Sequence, residues 1–490
     1  MVTRALSSVF LWAVALGVWA QPDVRVTYRL DNDWGSGFQG AFDLTNVGNQ
    51  DAVNWRLNFD LDRSITQVWN ASILSHSSPR YVFQPAPYNV TIPPGGTVGI
   101  GFIGGAGSGT PFPSNVSVTY DRSSGGGSPA KKLKGVAPWL TTRGSRIVHP
   151  SNGREWRMTG VNWFGFETET MAPHGLWTRS MDSMLDQIAA LKFNTLRIPY
   201  SNDILRPGAA TSSINFVLNP HLAGKTPLEV LDELILGCQT RGIKVILDRH
   251  RPTKDGQSAL WYSSAVSEEQ WIRDWETLAK RYKQCQTVVG FDLHNEPHGP
   301  ATWGDGNLLT DWRLAAERCG NRILAINPNV LIIVEGVEFA GGSSYWWGGN
   351  LSNAGTHPVR LSHPRQLVYS THDYPTSVYN QPWFSDPSYP SNLVPLWRDR
   401  WGYLVEQDIA PVLVGEFGTF DTVAVDRTWF RTLAAYMKSI GASFTYWSWN
   451  PNSVDTGGIL TDDWNTVHQG KVDVLKPLLW KLFPKRKTST

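Results

Sequence analysis

Residues 288–297 read Val288-Val-Gly-Phe-Asp-Leu-His-Asn-Glu-Pro297, a mostly apolar run of strand length that stops on His294, Asn295 and Glu296. A run of this kind reads as a strand covered on both faces, as in parallel sheets. Seven further runs share the form, at 158–164, 195–200, 244–250, 330–335, 367–374, 411–417 and 443–449. Between most of them lie amphipathic helical stretches, at 180–191, 227–240, 267–282, 310–326 and 426–440, and a last helix is expected over 472–482. Eight strand-then-helix units within residues 139–490 predict an α/β fold, a closed (β/α)8 TIM barrel with loop insertions. The alternative is an open doubly wound sheet, but no Gly-rich phosphate loop follows the first strand.

Upstream of Trp139 the periodicity is two. Val24, Val26, Tyr28 and Leu30 alternate with polar residues, as do Val53, Trp55, Leu57, Phe59 and Leu61. Turn clusters such as Asn46-Val-Gly-Asn49 and Pro93-Pro-Gly-Gly96 separate these half-buried strands, so residues 21–121 are expected to form a small all-β sandwich. Residues 122–138, with Ser123-Ser-Gly-Gly-Gly-Ser-Pro129, read as a flexible linker. Arg4 followed by the apolar run Val9 to Val18 reads as an export signal over residues 1–20, cut before Gln21. That run is too short to span a bilayer, and a secreted, extracellular protein is expected.

At 490 residues the chain is long enough for two cores. Its net charge of +2 and 18% charged residues give no sign of nucleic acid or an acidic partner. Its 24 Trp, 15 Tyr and 19 Phe suit stacking on the C–H faces of sugars, although large cores account for many of them. Cys238, Cys285 and Cys319 have no metal-ligand spacing and read as packing residues, allowing at most one bridge. Sequons at Asn70, Asn89, Asn115 and Asn350 mark possible glycan sites, two of them beside Trp69 and Tyr88.

Polar residues gather at the C-terminal ends of the predicted strands: Arg197, His250, Asn295 with Glu296, His372 with Tyr374, Glu416 and Trp447. That end is the catalytic face of a (β/α)8 barrel. A lone strand-end carboxylate is more often a hydrogen-bonded structural group, but several converging on one rim are hard to explain as packing. Glu296 and Glu416 both follow apolar strands, and glycoside hydrolysis needs one protonated and one ionised carboxyl. Asn295 is placed to orient a sugar 2-hydroxyl, and Arg197 and Tyr374 to hold Glu416 ionised.

With Gly160-Val-Asn-Trp-Phe-Gly165, Asn194-Thr-Leu-Arg-Ile-Pro199, Asp248-Arg-His250, His294-Asn-Glu-Pro297, His372-Asp-Tyr374, Gly415-Glu-Phe-Gly418 and Trp447-Ser-Trp-Asn450 in this order, residues 139–490 resemble the bacterial-type endoglucanases of glycoside hydrolase family 5. The resemblance implies retention of anomeric configuration, with Glu296 as acid/base and Glu416 as nucleophile. It implies that Arg197, His250, Asn295, His372 and Tyr374 line the catalytic subsite and that Trp447 is a sugar platform, with Trp177, Trp346 and Trp347 along the cleft. No metal or organic cofactor is implied. Some relatives carry cysteines near Glu169 and Lys254, where this chain has none.

The first module resembles family 2 carbohydrate-binding modules through Asp33-Trp-Gly-Ser-Gly-Phe38, Gln67-Val-Trp-Asn70 and Ala86-Pro-Tyr-Asn-Val-Thr-Ile-Pro-Pro-Gly-Gly96. That resemblance assigns Trp34, Trp69 and Tyr88 to a flat cellulose-binding row and leaves Trp55 to the core. Tyr88 stands where tryptophan is usual, and the cysteines that commonly tie the module's ends are absent, a bridge that typically contributes about 2 to 4 kcal/mol. The function expected is a secreted endo-β-1,4-glucanase acting on cellulose. The alternatives are hydrolysis of mixed-linkage glucan, mannan or xylan, or a non-catalytic wall-binding protein. The expected partner is the polysaccharide, with neither nucleic acid nor membrane, and the expected state is a monomer.

Overall fold

The computed structural model describes residues 16–20, 23–48, 51–86, 89–107, 110–122 and 139–483. Most of the expected export signal, the linker residues 123–138 and Tyr88 lie outside the described residues. The chain divides into two compact units, Met1–Ser128 and Pro129–Thr490. Among the described residues no helix is long and apolar enough to cross a membrane.

The first unit is a pair of antiparallel sheets. One runs Leu16–Ala20, Val24–Asp33, Gly37–Asn46, Thr97–Gly105, Ile65–Trp69 in spatial order; the other runs Ser114–Arg122, Ala52–Asp60, Arg80–Pro85, Ala71–Ser77, with Thr91–Ile92 also paired to Ala52–Asp60. The period-two residues Val24, Val26, Tyr28, Trp55, Leu57 and Phe59 are fully buried between the sheets, where Phe42, Phe59 and Phe83 pack ring against ring. Val53 departs from its predicted phase. Asn54 has φ of 52° and the register with Ser114–Arg122 slips between Asp121 and Thr119, so Ala52 turns inward instead. One extra residue in a strand inverts the alternation on its far side.

In the second unit eight parallel strands close in sequence order: Thr159–Asn162, Thr195–Ser201, Lys244–Arg251, Val288–Asp292, Leu331–Glu335, Leu367–His372, Val412–Glu416 and Ser443–Tyr446. Closure rules out the open sheet. Five of the predicted helices stand, at Met181–Ala190, Pro227–Arg241, Glu268–Arg281, Trp312–Ile326 and Ala424–Ile440. The last helix is shorter than expected: Gln469–Leu475 gives way to a tight turn at Lys476–Leu478, because Pro477 lacks the N–H that would continue the helical ladder to the carbonyl of Asp473. A helical segment that the sequence reading passed over fills the gap after the sixth strand. It runs through Leu393–Trp397, a wider turn at Arg398–Gly402 and Tyr403–Glu406, and it buries Leu393, Trp397, Trp401 and Leu404 at spacings of four and three.

Alternation on the strands sorts the barrel into layers. Val245 and Leu247, and likewise Ile332 and Val334, face the helices, whereas Ile246, Leu331 and Ile333 face inward with Val289, Val368 and Leu413. Those inner side chains make an apolar floor, and the C-terminal segment seals it from below. Phe483 packs on Trp156 at 4.7 Å between ring centroids, lies under the Lys244 ammonium at 4.2 Å, and donates its N–H to Gly242 O at 3.2 Å. One step higher on the same strands the inward positions become polar, and the site begins there.

Phe483→Ala removes a buried ring that nothing nearby can replace, and it should cost the barrel about 3 kcal/mol. A lower urea midpoint for the barrel with an unmoved transition for the first unit is the expected result, read by tryptophan fluorescence. An unchanged barrel midpoint would show that the floor is sealed without it.

Candidate active site

Arg197 comes from the second strand and is fully buried at the centre of the polar layer. Its Nε donates to Asp292 Oδ2 at 2.9 Å, and Nη1 donates to Glu416 Oε1 at 2.6 Å and lies 3.1 Å from Asp248 Oδ2. Nη2 donates to Asn295 Oδ1 and to Glu335 Oε1, each at 3.0 Å. The barrel thus gathers residues from the second, third, fourth, fifth and seventh strands onto one guanidinium, which is what carboxylates away from water require. Burial pushes Asp248 and Asp292 up to about 7 each, against the pull of Arg197.

Glu416 closes the seventh strand, with Oε1 on Arg197 and Oε2 accepting from the Tyr374 hydroxyl at 2.7 Å. Glu296 follows the fourth strand, with Oε1 at 2.9 Å from His372 Nδ1 and Oε2 accepting from Gln257 Nε2 at 2.9 Å. Oxygens of the two carboxyls lie within 4.8 Å of one another. The Asn295 Nδ2 is buried without a partner beside them. Carboxylates and imidazoles this close are also the donors a cation would take; here the Arg197 guanidinium supplies the positive charge among them.

Two histidines flank the pair in opposite states. Burial drives His250 down to about 4, so its neutral ring sits 2.6 Å from Asp248 Oδ2 through Nδ1. Burial also works against a charge on His372, but Glu335, Glu416 and the contact with Glu296 outweigh it and raise its proton affinity well above the ordinary imidazole range. Burial would raise the Glu296 carboxyl, yet the His372 and Gln257 contacts leave it below its usual value. Both directions favour the proton of the Glu296–His372 pair on the imidazole.

The aromatic residues divide. Trp447 is half-buried, its ring nearly parallel to Phe164 and to His250 at 5.4 and 5.3 Å, and the Trp447–Ser448 peptide is cis. Trp177 and Trp347 are 38% and 45% exposed, the latter stacked on His298 at 3.7 Å. Trp346 is 7% exposed, as Tyr374 is, and packs edge-on against Tyr374 and Trp383 at 6.0 and 6.1 Å. Across the rim Lys254 Nζ lies 3.7 Å from Glu169 Oε1, an ion pair at the place where some relatives have cysteines.

In the first unit Trp34, in the turn between Val24–Asp33 and Gly37–Asn46, is 49% exposed, and Trp69, at the end of Ile65–Trp69 in the same sheet, is 39% exposed. Both lie flat because glycines lie beneath them: a Cβ at Gly37 would come within 2.9 Å of the Trp34 indole, and one at Gly101 within 2.1 Å of the Trp69 indole. Trp55 is core, its indole N–H donating to Asn89 O at 2.8 Å. Asn70 and Asn115 are exposed, but the Asn350 sequon is sealed. Asn350 is fully buried and its amide donates to Ala340 O and Ser343 O, which leaves no space for a glycan. Cys238, Cys285 and Cys319 are buried free thiols.

Sequence reasoning missed Asn162, Gln257, Asp292 and Glu335. Glu335 carried the same signal as Glu416, a carboxylate ending an apolar strand, and Asp292 stood inside the opening motif. Gln257 lies in an irregular loop and had no signal at all.

Residues 154–453 match Cellulase (glycosyl hydrolase family 5), and residues 24–122 match the Cellulose binding domain. An endoglucanase of Paenibacillus polymyxa is 52% identical over 345 residues, 69% of this chain and 87% of its own length. The major extracellular endoglucanase of Xanthomonas campestris pv. campestris is 40% identical over 341 residues, 68% of this chain and 70% of its own. Among solved structures, the hyperthermophilic endocellulase from the archaeon Pyrococcus horikoshii superposes with a TM-score of 0.66 at 39% identity, covering 70% of this chain and 98% of that one.

The two histidines should titrate at opposite extremes. His250 is expected to stay neutral until the pH nears about 4, and His372 to keep its proton beyond the ordinary value of roughly 6.5. Carbon chemical shifts of ring-labelled histidine, assigned with His250→Asn and His372→Asn, would read both. His372 losing its proton before the bulk histidines would contradict the charge balance described above.

Proposed function

This chain belongs to glycosyl hydrolase family 5, and we propose that it is a secreted, retaining endo-β-1,4-glucanase that cuts internal bonds of cellulose with Glu296 as acid/base and Glu416 as nucleophile. The observation that carries the chemistry is the closeness of the two carboxyls, one oxygen of each lying within 4.8 Å of the other. Retaining pairs stand roughly 5–5.5 Å apart, whereas an inverting pair needs roughly 6.5–9.5 Å to admit a water.

A glucan chain laid across the rim meets Trp447 as a platform and the unpartnered Asn295 Nδ2 as a donor to a ring hydroxyl. Glu416 Oε2, oriented by Tyr374, attacks the anomeric carbon while the bond to the glycosidic oxygen breaks and Glu296 gives that oxygen its proton. Water then attacks the same carbon, Glu296 takes a proton from that water, and Glu416 departs as carboxylate. The proton must first move from His372 to Glu296. Substrate expels water from the pair, and desolvation favours a neutral carboxyl beside a neutral imidazole over an ion pair.

Residues 21–121 hold the enzyme to the polymer through Trp34 and Trp69, and residues 139–490 do the cutting. Secretion is supported by the apolar run after Arg4 and by the extracellular relative of Xanthomonas campestris.

Glu296→Ala should lose about two to four powers of ten on cellulosic substrates, whose leaving group needs a proton. On an aryl cellobioside with an acidic phenol the same variant should release a burst of phenol, then turn over slowly as the glycosyl-enzyme on Glu416 accumulates. Glu416→Ala should give no burst with either substrate. The reverse pattern would exchange the two roles.

Trp34→Ala and Trp69→Ala should each weaken adsorption to crystalline cellulose by about 1 to 3 kcal/mol, the cost of a lost stacking partner, while leaving hydrolysis of soluble carboxymethylcellulose intact. Adsorption isotherms matching the native protein for both would remove this face from binding.

A further inference from the structure

Glu335 ends the fifth barrel strand, is fully buried, and has no part in the bond-making described above. Its two oxygens have separate tasks. Oε2 accepts the backbone N–H of Glu296 at 2.7 Å, while Oε1 accepts from Arg197 and lies 3.3 Å from His372 Nε2. The first contact grips a strained residue, since Glu296 has φ of 53° in the left-handed region that side chains other than glycine disfavour. The loop above allows the contact no slack. Gly348 has φ of 66°, and a Cβ on it would lie 2.3 Å from Glu335 Oε2 and 3.0 Å from Glu296 Cα. The second contact makes His372 a bridge, with Glu335 on one ring nitrogen and Glu296 on the other.

We propose that Glu335 is the positioning residue of the proton donor: it holds the left-handed Glu296 backbone in place, and its negative charge keeps the shared proton on the His372–Glu296 pair. The inference rests on Glu296 being the acid/base. His372 is faced by Glu335, Glu296 and Glu416 from the fifth, fourth and seventh strands, and Glu335 by Arg197, Asp248 and Asp292 from the second, third and fourth. Burial pushes the Glu335 carboxyl up to about 7 despite the pull of His372, so its charge is present above neutrality and fades below it. Glutamine at this position keeps the size and an acceptor for the Glu296 N–H but lacks that charge. Without it either member of the pair gives up its proton more readily, so the alkaline limb of activity moves to lower pH.

The test compares the full chain with Glu335→Gln and Gly348→Ala on cellopentaose and on 2,4-dinitrophenyl cellobioside, whose phenol leaves without a proton. Between pH 5 and pH 8 the kcat of Glu335→Gln on cellopentaose should fall roughly tenfold further than that of the native protein, with KM moving in parallel in the two, as expected for a limb displaced by one unit. The burst step on the dinitrophenyl substrate should show no such added pH dependence. A pH profile parallel to the native one, or an equal loss on both substrates, overturns the proposal. Should Glu335→Gln fail to fold, Gly348→Ala displaces the same carboxylate and must lose activity on cellopentaose alone; full activity there is equally fatal. Glu296→Ala run alongside separates the two readings. Retained cellopentaose cleavage in that variant defeats the acid/base assignment, whereas its burst together with a native-like Glu335→Gln defeats only the role of Glu335.

Discussion

Asp248, Asp292, Glu335 and Glu416 all lie within 3.1 Å of the nitrogens of Arg197, and all five side chains are buried or nearly so. The rest of the site depends on this cluster. Taking an ion from water into the protein costs several kcal/mol, and only well-aligned opposite charges and hydrogen bonds offset it. Each strand that ends on this layer therefore has its end fixed by the need to reach the guanidinium. The placement of Glu416 follows from the same constraint, with the apolar floor excluding water from below.

Unequal neighbours then give like residues unlike tasks. His250 and His372 are both buried, but His250 faces one carboxylate at hydrogen-bond distance and stacks on Trp447, whereas His372 is hemmed in by Glu296, Glu335 and Glu416. Charge follows the count of anions, so one ring is neutral and the other holds a proton. Glu296 and Glu416 diverge in the same way. One is tied to an imidazole that can lend a proton, the other to a guanidinium and a phenol that have none to lend at working pH.

In the first unit, the proposed hold on the polymer rests on flatness. An indole lies parallel to a sheet only where the strand beneath it lacks a side chain, and Gly37 and Gly101 supply that absence under Trp34 and Trp69. Such a surface complements a polymer that presents sugar faces in a plane, whereas the barrel rim offers a cleft with one platform and converging polar groups.

The eight strand cores, five of the helices and the two carboxylates were legible in the sequence because each is a local pattern: an apolar run, a 3.6-residue stripe, a polar residue ending a strand. Helix Leu393–Trp397 and the turn after it were hidden by Pro395 within the stripe, and the phase slip at Asn54 by a backbone conformation that composition does not encode. Asn350 reads as a sequon, yet burial makes it a structural amide. The grip of Glu335 on Glu296, the proton resting on His372 and the reach of Gln257 across the cleft join residues 39 positions apart in the first and last cases and 76 in the second. Chemistry of single residues is written in the chain, but burial and pairing are set by which strand ends the closed barrel brings together, and these decide charge state and role.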